Sequence, residues 1–437
     1  MDKRYLAGEI DKSLDKQFIV LKGWIHDLRE LGNLKFLLLR DNSGIVQVTI
    51  IKKNVNEQKF KDIGKVPKES VIEIHGQVST SKEAPKGIEV IMKDFIVLSQ
   101  SISVLPLEVN GKVPAMPQQR FDYRVLDLRN PKNHAIIQVE CKIIVGITEY
   151  LNANSFIQVF TPCLMGSASE SGAEVFKIDY YGKKAFLRQD PQLHRQLTIA
   201  SGFEKIYDLG PSWRAEKSHT TKHLCEHRTI AAEQAFINDE SDIMRLQENV
   251  IIAAIKKINK ECKEQLELLD VKLKVPEAPF PELRFPKIYE ILEKAGKDIY
   301  GQDLDAEAEK ILFDYVKKKY NSEFYFFNRF PFKIKPFYVM RVDDDKEWAR
   351  SIDLNFNGVE LSSGGQREHR YEVLMSQVKE KGLTPENIEW FTKFFSYGVC
   401  PHGGFAMGIE RLTKQLLKLE NIKDTVLFPR DPDRLLP

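Results

Sequence analysis

Two acidic residues on a predicted β-hairpin, Asp353 and Glu360, have the spacing of a divalent-cation site. The dipeptide Asn357-Gly358 separates two runs rich in β-forming residues, 352–356 and 359–363, and Asn-Gly is a strong hairpin signal. Pairing across this turn makes the two carboxylates diagonal neighbours, roughly 7–8 Å apart on one face. Mg²⁺ prefers one or two carboxylates together with phosphate oxygens. The hairpin therefore predicts a magnesium site; the alternative is a solvated polar face.

Two further motifs lie far apart in the chain. Arg214-Ala215-Glu216 follows an apolar run, Ile206–Trp213, and its Arg and Glu alternate so that they share one strand face. The run from Gly403 to Arg411 (GGFAMGIER) places glycines before a helix-like pattern. Each run alone is unremarkable, but together and in this order they resemble motifs 2 and 3 of class II aminoacyl-tRNA synthetases. The resemblance implies that the chain binds ATP in a bent form and activates an amino acid.

A longer likeness runs from the N-terminal strands to the last residues, LFPRDPDRLLP. The whole chain resembles the aspartyl-tRNA synthetases in their compact archaeal-type form. The octet QDPQLHRQ matches the family pattern QSPQLxKQ, so Gln192 corresponds to a substrate contact and Arg195 to the lysine that meets the aspartate side chain. Arg367 would be the second cation of that pocket, since a guanidinium can bind a carboxylate bidentately. Glu170 matches the loop that closes over the amino acid.

The same resemblance implies a set of ATP-binding residues. They are Arg214, Glu216, Lys222, His223, His227, Glu360 and Arg411. Arg214 would contact the α-phosphate and Arg411 would stack on adenine, and both are expected to be catalytic. Glu216 would bind the adenine edge, and Lys222 with His223 the γ-phosphate. His227 stands where the family often has an aromatic residue opposite Arg411, and at low pH its charge would compete with that arginine.

A serine completes the family's metal site, and it matches Ser363. The resemblance gives Asp353, Glu360 and Ser363 as metal ligands, and Ser363 also as a contact to the amino acid. Simple alternation from Glu360 would put Ser362 on that face instead. We therefore expect a β-bulge at Ser362–Ser363.

The amino-acid pocket departs from the family pattern at two positions. Asp190 replaces the serine of the octet. Ala231, in the segment TIAAEQAF, falls where the family usually has an aspartate that helps bind the substrate's ammonium group. We expect a compensating exchange, in which Asp190 supplies the negative charge lost at Ala231. The alternative is drift in a paralogue that no longer charges tRNA with aspartate.

Residues 1–103 have the pattern of a small β-barrel. The predicted elements are strands at 17–24, 34–40, 45–51, 71–78 and 88–97 and a helix at 56–63. Five strands with one helix after the third suit an OB-fold, which binds single-stranded nucleic acid on its open face. The alternative is a barrel that serves as a structural cap.

The barrel carries residues that match anticodon-binding positions of the family. They are His26, Arg29, Phe36, Gln47, Pro85 and Glu89. Phe36 corresponds to the aromatic on which an anticodon base stacks, and RNA loops expose such bases. Enzymes restricted to tRNA-Asp tend to carry His and Pro at 26 and 85, whereas relaxed enzymes tend to carry Trp and Lys. The resemblance therefore implies discrimination against tRNA-Asn.

The rest of the chain predicts a linker and a second domain. Residues 104–132 contain four prolines among polar residues and predict a hinge. Residues 133–437 alternate helical and strand patterns, which predicts an α+β catalytic domain with an antiparallel sheet flanked by helices. The helical run 135–151, the strand 156–160 and Pro162 resemble motif 1, which forms the class II dimer interface. A homodimer is expected.

Composition excludes several classes. Of 437 residues, 42% are hydrophobic and 29% charged, as in ordinary soluble proteins. No apolar run approaches the roughly 18 residues of a membrane span, and the N-terminus lacks a signal-peptide pattern. The five cysteines show no C-x-x-C spacing, so we expect reduced thiols in a cytoplasmic protein. A net charge of +2 does not by itself indicate a nucleic-acid partner.

The resemblance thus implies an aspartate–tRNA ligase that uses L-aspartate, ATP, Mg²⁺ and tRNA-Asp. One alternative is a paralogue that activates asparagine, although the asparaginyl family lacks the proline–glutamine octet. The other is a non-catalytic RNA-binding protein on the same scaffold. Such a protein would have no need of the complete set Arg214, Glu216, Asp353, Glu360, Arg367 and Arg411.

Overall fold

The computed structural model describes residues 3–166, 174–215, 217 and 220–436. Glu170 and Glu216, two of the predicted site residues, lie outside these ranges. Contacts divide the chain into two compact units, residues 1–133 and residues 134–437. Within the described ranges, every helix is too short or too polar to cross a lipid bilayer.

The first unit is built around a closed β-barrel. Its strands are β1 (Arg4–Tyr5), β2 (Phe18–Leu31), β3 (Leu34–Asp41), β4 (Gly44–Ile51), β5 (Val71–Thr80) and β6 (Ile88–Ser99). They follow the order β1-β2-β3-β4-β6-β5, and β5 also pairs with β2, which closes the barrel. Helix α1 (Glu57–Ile63) lies between β4 and β5, where Asn56 caps it by accepting from the amide of Gln58. The predicted OB-fold is confirmed.

Strand β2 is longer than its sequence pattern predicts. It continues past residue 24 to Leu31 because it pairs first with β5 and then with β3. The register against β3 shifts between Ile25 and Asp27, so His26 is the extra residue of a β-bulge. A bulge bends a strand and re-aims the side chains around it, which lets one strand serve two sides of a barrel.

The predicted hinge at 104–132 contains regular structure. Two short helices, α2 (Pro117–Asp122) and α3 (Arg124–Asp127), lie within it, and helix α4 (Pro131–Ala153) begins before it ends. Asp127 accepts from Arg120, which joins the two short helices, and from Arg124 within α3. Two of the four prolines, Pro117 and Pro131, are the first residues of helices, since proline suits the first helical turn.

The second unit is organised by one large sheet. Its strands are β7 (Ile157–Val159), β11 (Lys205–Trp213), β12 (Glu226–Ala235), β13 (Glu282–Arg284), β14 (Phe324–Asn328), β15 (Ser351–Phe356), β16 (Val359–Arg367) and β17 (His402–Gly408). The order is β13-β14-β15-β16-β17-β12-β11-β7, antiparallel except at its two outermost pairs. A smaller sheet, β8-β10-β9, comprises β8 (Leu164–Met165), β9 (Lys177–Tyr180) and β10 (Lys183–Leu187).

Helices flank this sheet, as predicted for an α+β catalytic domain. Besides α4 they are α5 (Gln192–Ala200), α6 (Glu240–Glu261), α7 (Lys263–Leu268), α8 (Lys287–Lys294), α9 (Ala306–Tyr320), α10 (Tyr371–Glu380), α11 (Pro385–Thr392) and α12 (Ile409–Leu416). One sheet face, with Leu354 and Phe405, packs with Ile251 of α6 and Ile143 of α4 in the main core. Because side chains alternate along a strand, the polar residues between these positions point to the other face.

Candidate active site

The polar face of the large sheet borders a cavity of about 250 Å³. Ten predicted site residues line it: Asp190, Gln192, Arg214, Lys222, His223, His227, Glu360, Ser363, Arg367 and Arg411. Arg195 and Asp353 are buried beside it and contact lining residues. The fold thus brings together side chains that are up to 221 positions apart in the chain, from Asp190 to Arg411.

The hairpin that carries the two carboxylates has the predicted turn. Phe356 pairs with Val359 and Asn355 with Glu360, as expected. The register then shifts, because Leu354 pairs with Ser362 and Asp353 with Ser363. The bulge therefore exists, but its extra residue is Leu361 rather than Ser362 or Ser363.

This bulge decides which serine faces the cavity. Leu361 joins the main core, and the buried Ser362 donates to Gln247 of helix α6. Ser363 is left beside Asp353 on the cavity face. Burial of a leucine by the helix layer thus fixes the register at which the polar side chains emerge.

The carboxylates fit a magnesium ion. Asp353 is almost fully buried, and its Oδ1 atom has no hydrogen-bond partner within the described part of the chain. Burial raises the pKa of Asp353, nearby Glu360 raises it further, and Lys335 opposes them. Across the described residues no group of three or more acidic, His or Cys side chains converges on one point. This donor set suits Mg²⁺, which takes few protein carboxylates and completes its shell with phosphate oxygens and water.

Basic side chains, among them Arg214, Lys222 and Arg411, line one part of the cavity. Arg411, on the first turn of α12, donates from Nη1 to the carbonyl oxygen of Glu360 over 2.9 Å. Burial lowers the pKa of His227 to about 4, and the charges of Arg214 and Arg411 contribute. His227 is therefore neutral at pH 7 and does not repel Arg411 there. The predicted competition is confined to strongly acidic pH.

Helix α12 is attached to strand β12 by a buried carboxylate that sequence reasoning missed. Glu410, next to Arg411, accepts from the backbone amide of Arg228 at 2.9 Å and from its Nη1 at 2.9 Å. This contact anchors the helix end that presents Arg411. The only hint of this contact in the sequence was the position of Glu410 next to the predicted ligand Arg411, and its partner, Arg228, is 182 residues away.

The part of the cavity that Gln192 and Arg367 line contains a continuous line of hydrogen-bonded charged and amide groups. Arg195 Nη2 donates to both oxygens of Asp190, at 2.8 and 2.7 Å, and to Gln192 Oε1 at 2.8 Å. Gln192 Nε2 in turn donates to Glu233 Oε1 at 2.5 Å. Arg367 Nη2 donates to the same oxygen at 2.9 Å. The line therefore pairs two guanidinium groups with two carboxylates.

Local structure explains how these side chains meet. Gln192 and Arg195 are three residues apart on α5 and so lie on one helix face. Gly404 makes room for Glu233, because a Cβ at Gly404 would lie 2.4 Å from the carboxyl carbon of Glu233. The carbonyl oxygen of Gly404 also accepts from Arg367 Nη2 at 3.1 Å. The second glycine of the GGFAMGIER run thus makes room for the carboxylate of Glu233.

The line leaves donors and acceptors free for a ligand. Nε of Arg195 and Nε of Arg367 are buried without a partner, and so is Oε2 of Glu233, as judged over the described residues. Unpaired buried polar atoms are costly, so native proteins keep few of them except where a ligand satisfies them. Two guanidinium donors and one carboxylate oxygen suit an amino acid that carries both negative and positive groups.

Ala231 lies on the cavity side of β12. It precedes Glu233 by two residues and so shares its strand face, and it is opposite Asp208 of β11. Its methyl group is 1% exposed and supplies no charge. Asp208 does not replace the missing carboxylate directly, because it accepts from Thr161 and Arg188. The expected exchange between Asp190 and Ala231 stays a prediction.

In the barrel, four of the predicted anticodon residues share one sheet face. Arg29 pairs with Phe36 across β2 and β3, and Phe36 pairs with Thr49 of β4. Gln47, two residues from Thr49, donates to Glu89 Oε2 over 3.0 Å, and Thr49 donates to the same oxygen. An aromatic ring is thus flanked by amide, guanidinium and carboxylate groups. Thr49, which sequence reasoning missed, fixes the Glu89 carboxylate.

The other two predicted residues have different environments. His26, in the bulge of β2, is 9% exposed, and its Nδ1 accepts from Arg40 Nη1 at 2.8 Å. Arg40 is itself paired with Glu69 over 2.6 Å. Pro85 begins a short 3₁₀ turn, Pro85–Gly87, immediately before β6.

Two family models match the chain. Residues 116–432 match tRNA synthetases class II (D, K and N), and residues 19–98 match the OB-fold nucleic acid binding domain. The chain is 42% identical to Aspartate–tRNA(Asp) ligase of Pyrococcus furiosus and 40% identical to Aspartate–tRNA(Asp/Asn) ligase of Methanopyrus kandleri, in both cases over the full length of each chain. A crystal structure of asparaginyl-tRNA synthetase from Pyrococcus horikoshii complexed with asparaginyl-adenylate superposes over the full length of both chains with a TM-score of 0.92 and 32% identity.

Proposed function

The chain belongs to the class II tRNA synthetases (D, K and N), and we propose that it is an aspartate–tRNA ligase. It activates L-aspartate with ATP and transfers the aspartyl group to the 3′ end of tRNA-Asp. One observation carries the choice of aspartate: two buried guanidinium groups, Arg195 and Arg367, each keep an Nε donor that has no acceptor among the described residues. The full-length likeness to aspartate–tRNA ligases at about 40% identity supports the same choice.

The activation step needs positioning more than proton transfer. The α-carboxylate of aspartate is already ionised at neutral pH, so one of its oxygens forms a bond to the α-phosphorus of ATP without a base. The bond from that phosphorus to the bridging oxygen breaks, and pyrophosphate leaves. Arg214 and Arg411 hold the nucleotide and offset its charge, which is how enzymes accelerate such transfers. A ribose hydroxyl of the tRNA terminus then attacks the aspartyl carbonyl carbon, and AMP departs.

Asp353, Glu360 and Ser363 are the residues that would hold Mg²⁺. When bound, the ion neutralises phosphate charge. The Oδ1 atom of Asp353, which has no hydrogen-bond partner among the described residues, supports this assignment. Lys222 and His223 are the proposed γ-phosphate ligands, since both line the cavity on the loop between β11 and β12.

Discrimination against asparagine follows from hydrogen bonding rather than from net charge. Asp190 and Glu233 already balance the two arginines, so an amide side chain would not leave two bare cations. A carboxylate presents acceptors only, whereas an amide presents one acceptor and an NH₂ group that would face guanidinium N–H groups. A site built around donors rejects the analogue that cannot accept from all of them.

The barrel is the proposed anticodon-binding unit, with Phe36 stacking on a base. Restriction to tRNA-Asp remains part of the proposal, based on His26 and Pro85.

We also propose a homodimer formed through the motif 1 region. The outermost strand β7 supports this, because Ile157 and the neighbouring Phe160 are 52% and 81% exposed.

A second candidate, asparagine activation, has one observation in its favour. The TM-score of 0.92 was obtained with an asparaginyl-tRNA synthetase, at 32% identity. The identity to aspartate–tRNA ligases is higher, at 42%, so aspartate is preferred.

The test is ATP–pyrophosphate exchange with aspartate, with asparagine and with no amino acid, followed by aminoacylation of tRNA-Asp and tRNA-Asn transcripts. We expect exchange with aspartate, charging of tRNA-Asp, and loss of both in Arg367→Gln. Arg341→Gln is the matched control, because Arg341 pairs with Glu380 and does not line the cavity. Exchange with asparagine alone would establish the second candidate, and efficient charging of tRNA-Asn would refute the restriction to tRNA-Asp.

A further inference from the structure

Lys335 contacts the proposed metal site although no motif points to it. Its Nζ atom lies 3.4 Å from Asp353 Oδ2 and 3.6 Å from the centre of the Phe330 ring. The side chain is 14% exposed and lines the cavity that contains Glu360 and Ser363. It follows a short 3₁₀ turn, Phe332–Ile334, so a loop rather than the sheet presents it.

The contact to Asp353 is too long to occupy this ammonium group fully. At 3.4 Å it is at the outer limit of hydrogen bonding, whereas strong charge-assisted N–H···O bonds measure about 2.7–2.9 Å. A lysine ammonium has three donors. The Phe330 ring covers one side of the group by a cation–π contact. Donor capacity therefore remains on the side of the cavity.

Charge balance gives the lysine a reason to be there. Glu360 on the cavity lining is paired with Arg411 over 3.5 Å, and Lys335 brings a positive charge beside the buried Asp353. A divalent ion at the same carboxylates would repel the lysine, since like charges a few ångströms apart in a partly buried site interact strongly. Phosphate oxygens would attract it, and Mg²⁺ keeps phosphate oxygens in the same shell as its carboxylate ligands.

We propose that Lys335 is a phosphate-binding residue of the ATP site, which balances Asp353 in the free enzyme and donates to a phosphate oxygen of ATP when metal and nucleotide are bound. This deepens the proposed function and depends on it for the identity of the nucleotide. It adds a cation beside Asp353 to the cavity that Lys222 and His223 of the β11–β12 loop also line. A purely structural role, in which Lys335 only holds the Asp353 side chain and the surrounding loop in place, is the competing explanation.

The two roles predict opposite effects on metal binding. If Lys335 competes with the metal for Asp353, then Lys335→Met tightens binding of Mn²⁺, used as a spectroscopic substitute for Mg²⁺, to the enzyme without nucleotide. We expect about tenfold tighter binding, measured by electron paramagnetic resonance of free Mn²⁺. If the lysine only supports the fold, its removal disorders Asp353 and weakens Mn²⁺ binding.

Kinetics give the second readout. In pyrophosphate exchange we expect Lys335→Met to lower kcat/KM for ATP by at least tenfold and to leave KM for the amino acid within twofold of wild type. Lys335→Arg should recover part of the loss because it keeps the charge. Lys333→Met is the matched control, since Lys333 is exposed, two residues earlier on the same turn, and should behave as wild type. Lys335→Gln replaces the methionine variant if the latter folds poorly.

The proposal is overturned if Lys335→Met binds Mn²⁺ more weakly, or if its kcat/KM for ATP is unchanged. These outcomes are separate from failure of the proposed function. Mn²⁺ binding is measured without any amino acid, and the exchange assay uses whichever amino acid supports it in the wild-type enzyme.

Discussion

Asp190 is the residue whose replacement tests the amino-acid pocket most directly. Its two carboxylate oxygens lie 2.8 and 2.7 Å from Nη2 of the buried Arg195, yet its side chain is 38% exposed and borders the cavity. It can therefore bind a ligand's ammonium group, replacing the charge absent at Ala231, or it can act only as the counter-ion of Arg195. We predict that it does bind the ammonium group.

The expected magnitude follows from the contact that would be lost. A hydrogen bond to a charged group contributes about 1.5–3 kcal/mol. Because more than a third of the Asp190 side chain is exposed, solvent screens the interaction and the lower end of that range applies. Replacing Asp190 by serine should therefore weaken ammonium binding by about 1.5 kcal/mol, which is about tenfold in affinity.

Asp190→Ser also removes the partner of Arg195, and this second effect must be separated from the first. A freed Arg195 would bind the carboxylate of any ligand more tightly. Succinate carries the two carboxylates of aspartate but no ammonium group, so it reports the second effect alone. The ratio of the succinate inhibition constant to the aspartate KM then isolates the contribution of the ammonium group.

The assay is aspartate-dependent ATP–pyrophosphate exchange, with succinate as a competitive inhibitor, on wild type and Asp190→Ser. We expect the ratio to fall about tenfold in the variant. Asp343→Ser is the control, because Asp343 pairs with Arg350 and Arg370 outside the cavity and should leave the ratio unchanged. An unchanged ratio in Asp190→Ser would rule out the exchange between Asp190 and Ala231.

Two further predictions concern stability and tRNA. Burial raises the pKa of Glu140 from 4.5 to about 8, and the charge of nearby Glu410 contributes. The contribution of Glu140 to the free energy of unfolding is therefore complete below pH 4.5 and is lost as pH rises towards 8. This contribution is at most about 5 kcal/mol. Glu140→Gln should therefore raise the melting temperature at pH 8 but not at pH 5, whereas Glu149→Gln, on an exposed site of the same helix, should do neither in calorimetry. Phe36→Ala should lower kcat/KM for tRNA by about 5- to 150-fold, because stacking contributes about 1–3 kcal/mol, and it should leave pyrophosphate exchange unchanged. The control is Phe18→Ala, which changes an exposed residue of the same barrel and should preserve aminoacylation.

The hairpin shows how far the sequence could predict the site. Asn357-Gly358 and the alternation around it predicted the turn and its first two pairs correctly, because both depend on local geometry. The bulge was misplaced by one residue or more, since alternation cannot locate an inserted residue. Its position depends on which apolar side chain the helix layer buries, and that proved to be Leu361.

Partners distant in sequence were beyond prediction for a related reason. Glu233 binds Gln192 and Arg367, which are 41 and 134 residues away, and a single sequence contains no record of such pairs. Lys335 was missed because it comes from a loop without a motif. The neutral state of His227 also depends on burial, which only the folded structure defines.

The completed line of polar groups changes how specificity should be understood. From the sequence, Arg195 and Arg367 were expected to be two cations that bind the side-chain carboxylate of a substrate. In the folded protein Asp190 and Glu233 already neutralise them. Among the described residues, the groups of this line that remain unsatisfied are directional, namely the two Nε donors and the Oε2 acceptor of Glu233. Substrate selection must then depend on how many acceptors a side chain presents to fixed donors, and substitutions of Asp190 should alter affinity more than they alter the choice between aspartate and asparagine.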